Sequence, residues 1–163
     1  MQNKFIDIIE RYLDSIEVNY VFREDCDAYE IKIKNVNDNR KETEIMISFD
    51  DEYILIYGFL FFRKEIVDKG QFLRLLNKIN LNVENAQLIY IVDLNGVDYV
   101  SSIKCCNTTP SIEMIEDSFC SVKRLIEKFG DTIMGVAEGE FLSDSAINEL
   151  LKGESSDGNI YPI

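Results

Sequence analysis

From Pro110 to about Glu138 the chain sets apolar residues three and four apart: Ile112, Ile115, Phe119, Val122, Ile126, Phe129, Ile133 and Val136. That spacing predicts an amphipathic helix about 40 Å long, with one continuous apolar stripe. Thr109 stands where a cap is needed, Pro110 at the first helical position, and Glu113 and Glu116 near the positive end of the dipole. Gly130 and Gly135 are its weak points, each costing about 1 kcal/mol relative to Ala, so a kink or restart is expected at Asp131. A heptad of this kind also permits a coiled coil. A sheet is the expected cover, because a strand-rich stretch of comparable breadth precedes the helix.

Before it, residues 3–16 predict a first helix. Phe5, Ile6, Ile9, Tyr12, Leu13 and Ile16 form one face, Asp7, Glu10, Arg11 and Asp14 the other, with Asn3 as cap. Glu17 to Phe22 has no clear period and reads as a short extended piece. In Tyr29–Lys34 the residues Tyr29, Ile31 and Ile33 alternate with charged ones, which predicts a strand with one wet face. After the polar loop Asn35–Lys41, the stretch Glu44–Phe49 turns Ile45, Ile47 and Phe49 inward, and Asp50-Asp51-Glu52 reverses the chain. Tyr53–Phe62 differs: Ile54, Leu55, Ile56, Leu60, Phe61 and Phe62 leave neither face polar. A strand apolar on both sides is covered on both sides. Helices supply one cover; the other is a second element of the chain or another subunit.

A short second helix is expected at residues 71–80 through Phe72, Leu75, Leu76 and Ile79, after the breaker Gly70. Ala86–Leu94 and Val97–Cys105 flank Asn95-Gly96, a strong signal for a two-residue hairpin turn, whose central positions both need positive φ. After Gly139 the character changes. Ser143–Lys152 is patterned as a short helix stopped by Gly153, and the rest, to Ile163, reads as mobile. The expected organisation is an α+β domain over residues 1–139 and an acidic tail over 140–163. Within the domain an antiparallel five-stranded sheet carries helices in the order α-β-β-β-α-β-β-α.

Composition narrows the function. The chain has 163 residues, of which 46% are hydrophobic, enough for one well-packed domain. A net charge of −13 opposes binding to nucleic acid and to anionic membranes. No apolar stretch approaches the ~20 residues of a membrane span, and Met1–Glu10 alternates charged and apolar groups unlike a secretory signal. A cytoplasmic location is the expectation. Histidine is absent, so Ser/His/Asp and Cys/His catalysis fall away within one chain. No Gly-rich loop links a strand to a helix, and no nucleotide cofactor is expected.

Cys26, Cys105, Cys106 and Cys120 lack metal-ligand spacing and read as buried reduced thiols, with Cys105 and Cys106 on opposite faces of a strand. Asp25/Asp27 and Asp50/Asp51/Glu52 read as solvated turn acids, and Asn77 and Asn80 as caps or strand-end hydrogen bonds. No catalytic, cofactor-binding or metal-binding residue is assigned.

With helix, three strands, short helix, hairpin and long helix in this order, the chain resembles the bacterial YbjN-like family, whose fold looks like that of type III secretion chaperones. The residues that carry the resemblance are Leu75-Leu76-Asn77-Lys78-Ile79-Asn80, the hairpin Gln87–Ile103 around Asn95-Gly96, and the long helix from Ser111, within residues 3–138. The resemblance implies a regulator of sensory transduction, or a small acidic homodimer that binds extended segments of partner proteins. It transfers no site residue.

Three readings follow. The first is a non-enzymatic homodimeric module that binds a protein or peptide client through Ile54, Ile56, Leu60, Phe62, Ile89 and Ile91, on Tyr53–Phe62 and Ala86–Leu94. The second is an enzyme or a small-ligand or metal binder using Asp50, Asp51, Glu52 or the Cys105/Cys106 pair. In the third, the tail helix Ser143–Lys152 docks on the exposed sheet and hides it.

Overall fold

A computed structural model of the chain describes residues 5–34, 42–106 and 108–140, together with 144, 145 and 148. The elements run α1 (Ile6–Ser15), β1 (Tyr20–Arg23), β2 (Ala28–Lys34), β3 (Glu42–Phe49), β4 (Tyr53–Phe61), α2 (Lys69–Asn80), β5 (Gln87–Ile91), β6 (Gly96–Lys104) and α3 (Ile112–Ala137). Every strand pairing is antiparallel and the sheet order is β1-β2-β3-β4-β6-β5. The expected α+β architecture is present, with six strands rather than five.

The sixth strand is β1, in the stretch without a sequence period. It has only 4 residues. Its register with β2 sets Tyr20 opposite Ile31 and Phe22 opposite Tyr29. Aromatic contact rather than alternation holds it: Phe22 packs on Tyr29 at 5.0 Å between ring centroids and on Phe49 at 6.4 Å.

All three helices lie on one face of the sheet. α3 runs for 26 residues, about 39 Å, and continues through Gly130 and Gly135 without restarting at Asp131. Its cap is Ser111, whose hydroxyl accepts from the Met114 amide at 3.3 Å, so the helix starts two residues later than Thr109 and Pro110 suggested. Ile115, Phe119, Val122, Leu125, Phe129, Ile133 and Val136 are buried against the sheet and the other helices. Gly58 of β4 makes room beneath it, because a Cβ there would lie 2.6 Å from Ile126 Cδ1.

α1 packs beside α3 through Tyr12 and Phe119, edge to face at 5.5 Å. Its first helical turn begins after Phe5; the expected cap Asn3 lies outside the described residues, as does the loop Asn35–Lys41. α2 covers β5, with Phe72 edge-on to both Phe62 and Tyr90. Asp68 caps this helix by accepting from the Gln71 amide at 3.0 Å, which draws Gly70 into the first turn instead of leaving it as a breaker.

The β5–β6 hairpin forms, but its turn is longer than two residues. β5 ends at Ile91, Val92–Leu94 make a 3₁₀ turn, and Asn95 takes the left-handed conformation at φ 46°. Gly96 already belongs to β6, paired with Ile91 and Phe61. Asn95 is held there by the end of β4: its Nδ2 donates to the carbonyls of Phe62 and Lys64, at 3.2 and 2.8 Å. A long-range bond therefore sets the turn that a purely local rule assigned to the dipeptide.

Candidate functional site

β4 shows how the sheet divides. Ile54, Ile56 and Gly58 are buried beneath the helices, with Leu60 packed against the same core. Alternation sends Leu55, Tyr57, Phe59 and Phe61 to the opposite face. Register extends that face across its neighbours. Tyr57 stands beside Met46 of β3 and Val100 of β6, and Val100 faces Gln87 of β5. Next along, Phe59, Asp98 and Ile89 make a row, followed by Phe61, Gly96 and Ile91. In the other direction lie Ser48, Leu55 and Ser102, then Tyr53 and Lys104. Among the described residues no helix covers this face.

The face is apolar and partly wet. Phe61 is 62% exposed, and Leu55 and Ile89 38% each. Phe59 and Phe61 pack together at 4.1 Å between ring centroids. Gly96 is what lets the Phe59 ring lie over β6, since a Cβ at Gly96 would stand 2.4 Å from Phe59 Cε1 and 2.5 Å from the Leu60 carbonyl oxygen. Salt links border the face on the β1–β2 side, where Glu30 takes Arg23 at 2.9 Å and Lys32 at 3.0 Å.

One acid interrupts the greasy surface. Asp98 lies between Phe59 and Ile89, and its Oδ1 is buried without a hydrogen-bond partner. Burial alone pushes its carboxyl up to about 6. Tyr57, diagonal to it, is also raised, chiefly by burial and in smaller part by the charges of Cys26 and Asp98. The other buried polar atom left without a partner among the described residues is the Tyr99 hydroxyl, which points the other way, toward Gly130 of α3.

Of the six residues that the sequence suggested for partner contact, the structure brings only Ile89 and Ile91 to this face. Ile54 and Ile56 are fully buried in the core, Phe62 is 7% exposed, and Leu60 packs against the same cluster. The sequence reading put the outer surface on the even-numbered side of β4, whereas the odd-numbered side lies open. A signal existed in β6: Asp98, Ser102 and Lys104 mark its polar side, and the β4–β6 register sets that side next to Leu55, Phe59 and Tyr53.

The residues of the small-ligand reading do not converge. Asp50 Oδ1 accepts from the amides of Glu52 and Tyr53, both at 2.7 Å, which holds its carboxyl below the usual range. It is a turn acid serving its own backbone. β6 ends at Lys104, so Cys105 and Cys106 follow the strand instead of lying on its two faces, and Cys106 turns into the left-handed region at φ 37°. Cys105 is buried, whereas Cys26, Cys106 and Cys120 are exposed, against the expectation of buried thiols. Among the described residues no group of three or more Cys, Asp or Glu side chains is placed to hold a metal ion. Of the tail, Asp144 accepts from Lys78 of α2 at 3.0 Å, and most of Ser143–Lys152 lies outside the described residues. No described helix is long and apolar enough to cross a membrane.

An antiparallel sheet with three helices on one face defines a YbjN-like and secretion-chaperone-like α+β fold, and the solved structures bear this out. The crystal structure of YbjN from E. coli, a proposed transcription regulator, aligns with a TM-score of 0.51 at 18% identity, over 78% of this chain and 92% of that one. A chain in the structure of the HopA1–SchA chaperone–effector complex aligns with a TM-score of 0.50 at 16% identity, over 81% of this chain and 91% of that one. At such identities the likeness is one of fold. No protein-family model and no curated protein matches the chain.

Proposed function

We propose that this protein is a non-enzymatic, cytoplasmic protein-binding module, chaperone-like or regulatory, that acts as a homodimer. One observation carries the reading: the centre of the sheet leaves Leu55, Tyr57, Phe59, Phe61, Ile89 and Ile91 as a contiguous apolar surface on the side away from the helices. Contiguous patches of that kind mark interaction surfaces. The fold shared with a chaperone–effector complex supports a protein as the ligand.

Light scattering on the full chain over a range of concentrations tests the homodimer, together with retention of partners from native cytosol. The expected result is a mass of twice 18.9 kDa at high concentration. A strictly monomeric chain that retains no protein partner removes the reading.

A further inference from the structure

Asp98 stands in the middle of the open face with apolar neighbours on every side. Phe59 and Ile89 flank it across the sheet, and alternation along β6 puts Gly96 before it and Val100 after it. Its Oδ1 is buried and has no donor. An aromatic ring stands next to that carboxylate. Gly96 lets the Phe59 ring lie over β6, and side chains paired across two strands in this way hold their Cβ atoms about 5 Å apart. Phe61 packs on the same ring at 4.1 Å between centroids.

The cations of the chain nearest in the sheet are committed elsewhere. Arg23 and Lys32 are held by Glu30 at 2.9 and 3.0 Å. Lys104 lies about 20 Å from Asp98 along the strand, with its ammonium 5.9 Å from the Tyr53 ring centroid.

We infer that Asp98, with the Phe59 ring beside it, is the receptor for one arginine side chain of a protein partner, whose neighbouring apolar residues settle on Tyr57, Phe61 and Ile89. The inference rests on the protein-binding reading above and gives the partner its chemistry. A wholly apolar partner would seal the carboxylate from water and offer it no donor, which is costly. An anionic partner is opposed by Asp98 itself and by the net charge of −13. A hard metal cation takes about six oxygen ligands, whereas Phe59, Ile89, Gly96 and Val100 surround this one acid. Between the two basic side chains the site favours arginine. A guanidinium is weakly hydrated, gives paired N–H donors to a carboxylate and lies against an aromatic ring. A lysine ammonium would first have to shed a tightly held shell of water.

Peptide titration of the full chain, followed through the chemical shift of the Asp98 carboxyl, tests the site. The probes are the acetylated and amidated pentapeptide Ser-Leu-Arg-Leu-Ser and its counterpart with citrulline, which keeps the shape of arginine and lacks its charge. In about 0.15 M salt, where long-range attraction is screened, the arginine peptide is expected to bind at least about tenfold tighter and to displace the Asp98 resonance. Asp98→Asn should bring the two peptides to within about twofold of each other, although it changes the net charge of −13 by a single unit. Phe59→Leu should lower the preference about threefold. Circular dichroism reports that both variants are folded.

Equal affinity for the two peptides overturns the inference, and so does a preference that survives Asp98→Asn or is untouched by Phe59→Leu. The protein-binding reading would still stand, because mass and partner retention test it separately. A displacement of the same size that is present before any peptide is added, and lost on dilution, makes a second copy the donor. One that is lost in Lys152→Gln, which removes the only cation of residues 141–163, makes the tail the donor. Either result overturns the inference.

Discussion

The side chain of Asn80, the last residue of α2, closes two hydrogen bonds on the backbone of Leu88 in β5. Its Oδ1 accepts from the Leu88 amide at 2.7 Å and its Nδ2 donates to the Leu88 carbonyl at 2.9 Å. β5 is an edge strand, and this clamp gives its outward backbone groups the partners that a further strand would otherwise supply. Asn80→Ala leaves both groups unpaired at a buried residue. The expected loss is about 2 kcal/mol in chemical denaturation, together with faster hydrogen exchange at Leu88. Unchanged exchange there would mean that the clamp is dispensable.

The two faces of β4 separate stability from association. Ile56 is fully buried under the helices, so Ile56→Ala should cost about 3 kcal/mol through lost burial and the cavity left behind. Phe61 is mostly exposed. Phe61→Ser should leave the unfolding midpoint of the dilute protein nearly unchanged and lower the dimer fraction in light scattering. An equal stability loss for both variants would show that the odd-numbered face is core after all.

Gly96 and Gly58 are predicted to tolerate alanine unequally. At Gly58 the new methyl meets the mobile end of Ile126, with the Glu44 carbonyl at a tolerable 3.2 Å. At Gly96 it meets the Leu60 carbonyl oxygen at 2.5 Å as well as the Phe59 ring. A side chain can rotate aside, whereas a ladder carbonyl cannot. Thermal melts should therefore show Gly96→Ala to be the more damaging by about 1 kcal/mol or more, and adding Phe59→Ala should restore only part of the loss.

Asp98 makes the dilute monomer less stable as pH rises. Its carboxyl is raised to about 6 in the folded chain, from an ordinary value of 3.8. Between those two values the folded state therefore holds more protons than the unfolded one. Stability is then highest below the unfolded value and is lost as pH rises through 6. Each unit corresponds to about 1.36 kcal/mol, and solvent screening of a half-buried group reduces the whole effect to about 1 kcal/mol. Asp98→Asn should remove this slope and stabilise the monomer at neutral pH. A chemical-shift titration of the Asp98 carboxyl with an ordinary midpoint would refute the assignment.

Sequence and structure agree where the interaction is local. The 3.6-residue period from Ile112 to Val136 depends only on neighbours along the chain, and α3 lies where that period put it. β2 and β3 likewise follow their own alternation, and Asn80 forms the strand-end bonds expected of its type. β1 escaped because its 4 residues are held by Tyr29 and Phe49 from other strands and carry no period of their own.

The chain by itself determined the order of helices and strands apart from β1, the antiparallel α+β class, and the fact that β4 is apolar on both sides. It did not determine which side of β4 turns outward. Two apolar faces are equivalent to a period-2 rule. The choice is made by the register with β3 and β6, and by the place where α3 crosses at Gly58. Those contacts join residues up to about seventy positions apart, and only the folded chain brings them together. The same packing turned Ile54 and Ile56 into core, and set Asp98 in an open apolar surface with a buried oxygen and no donor.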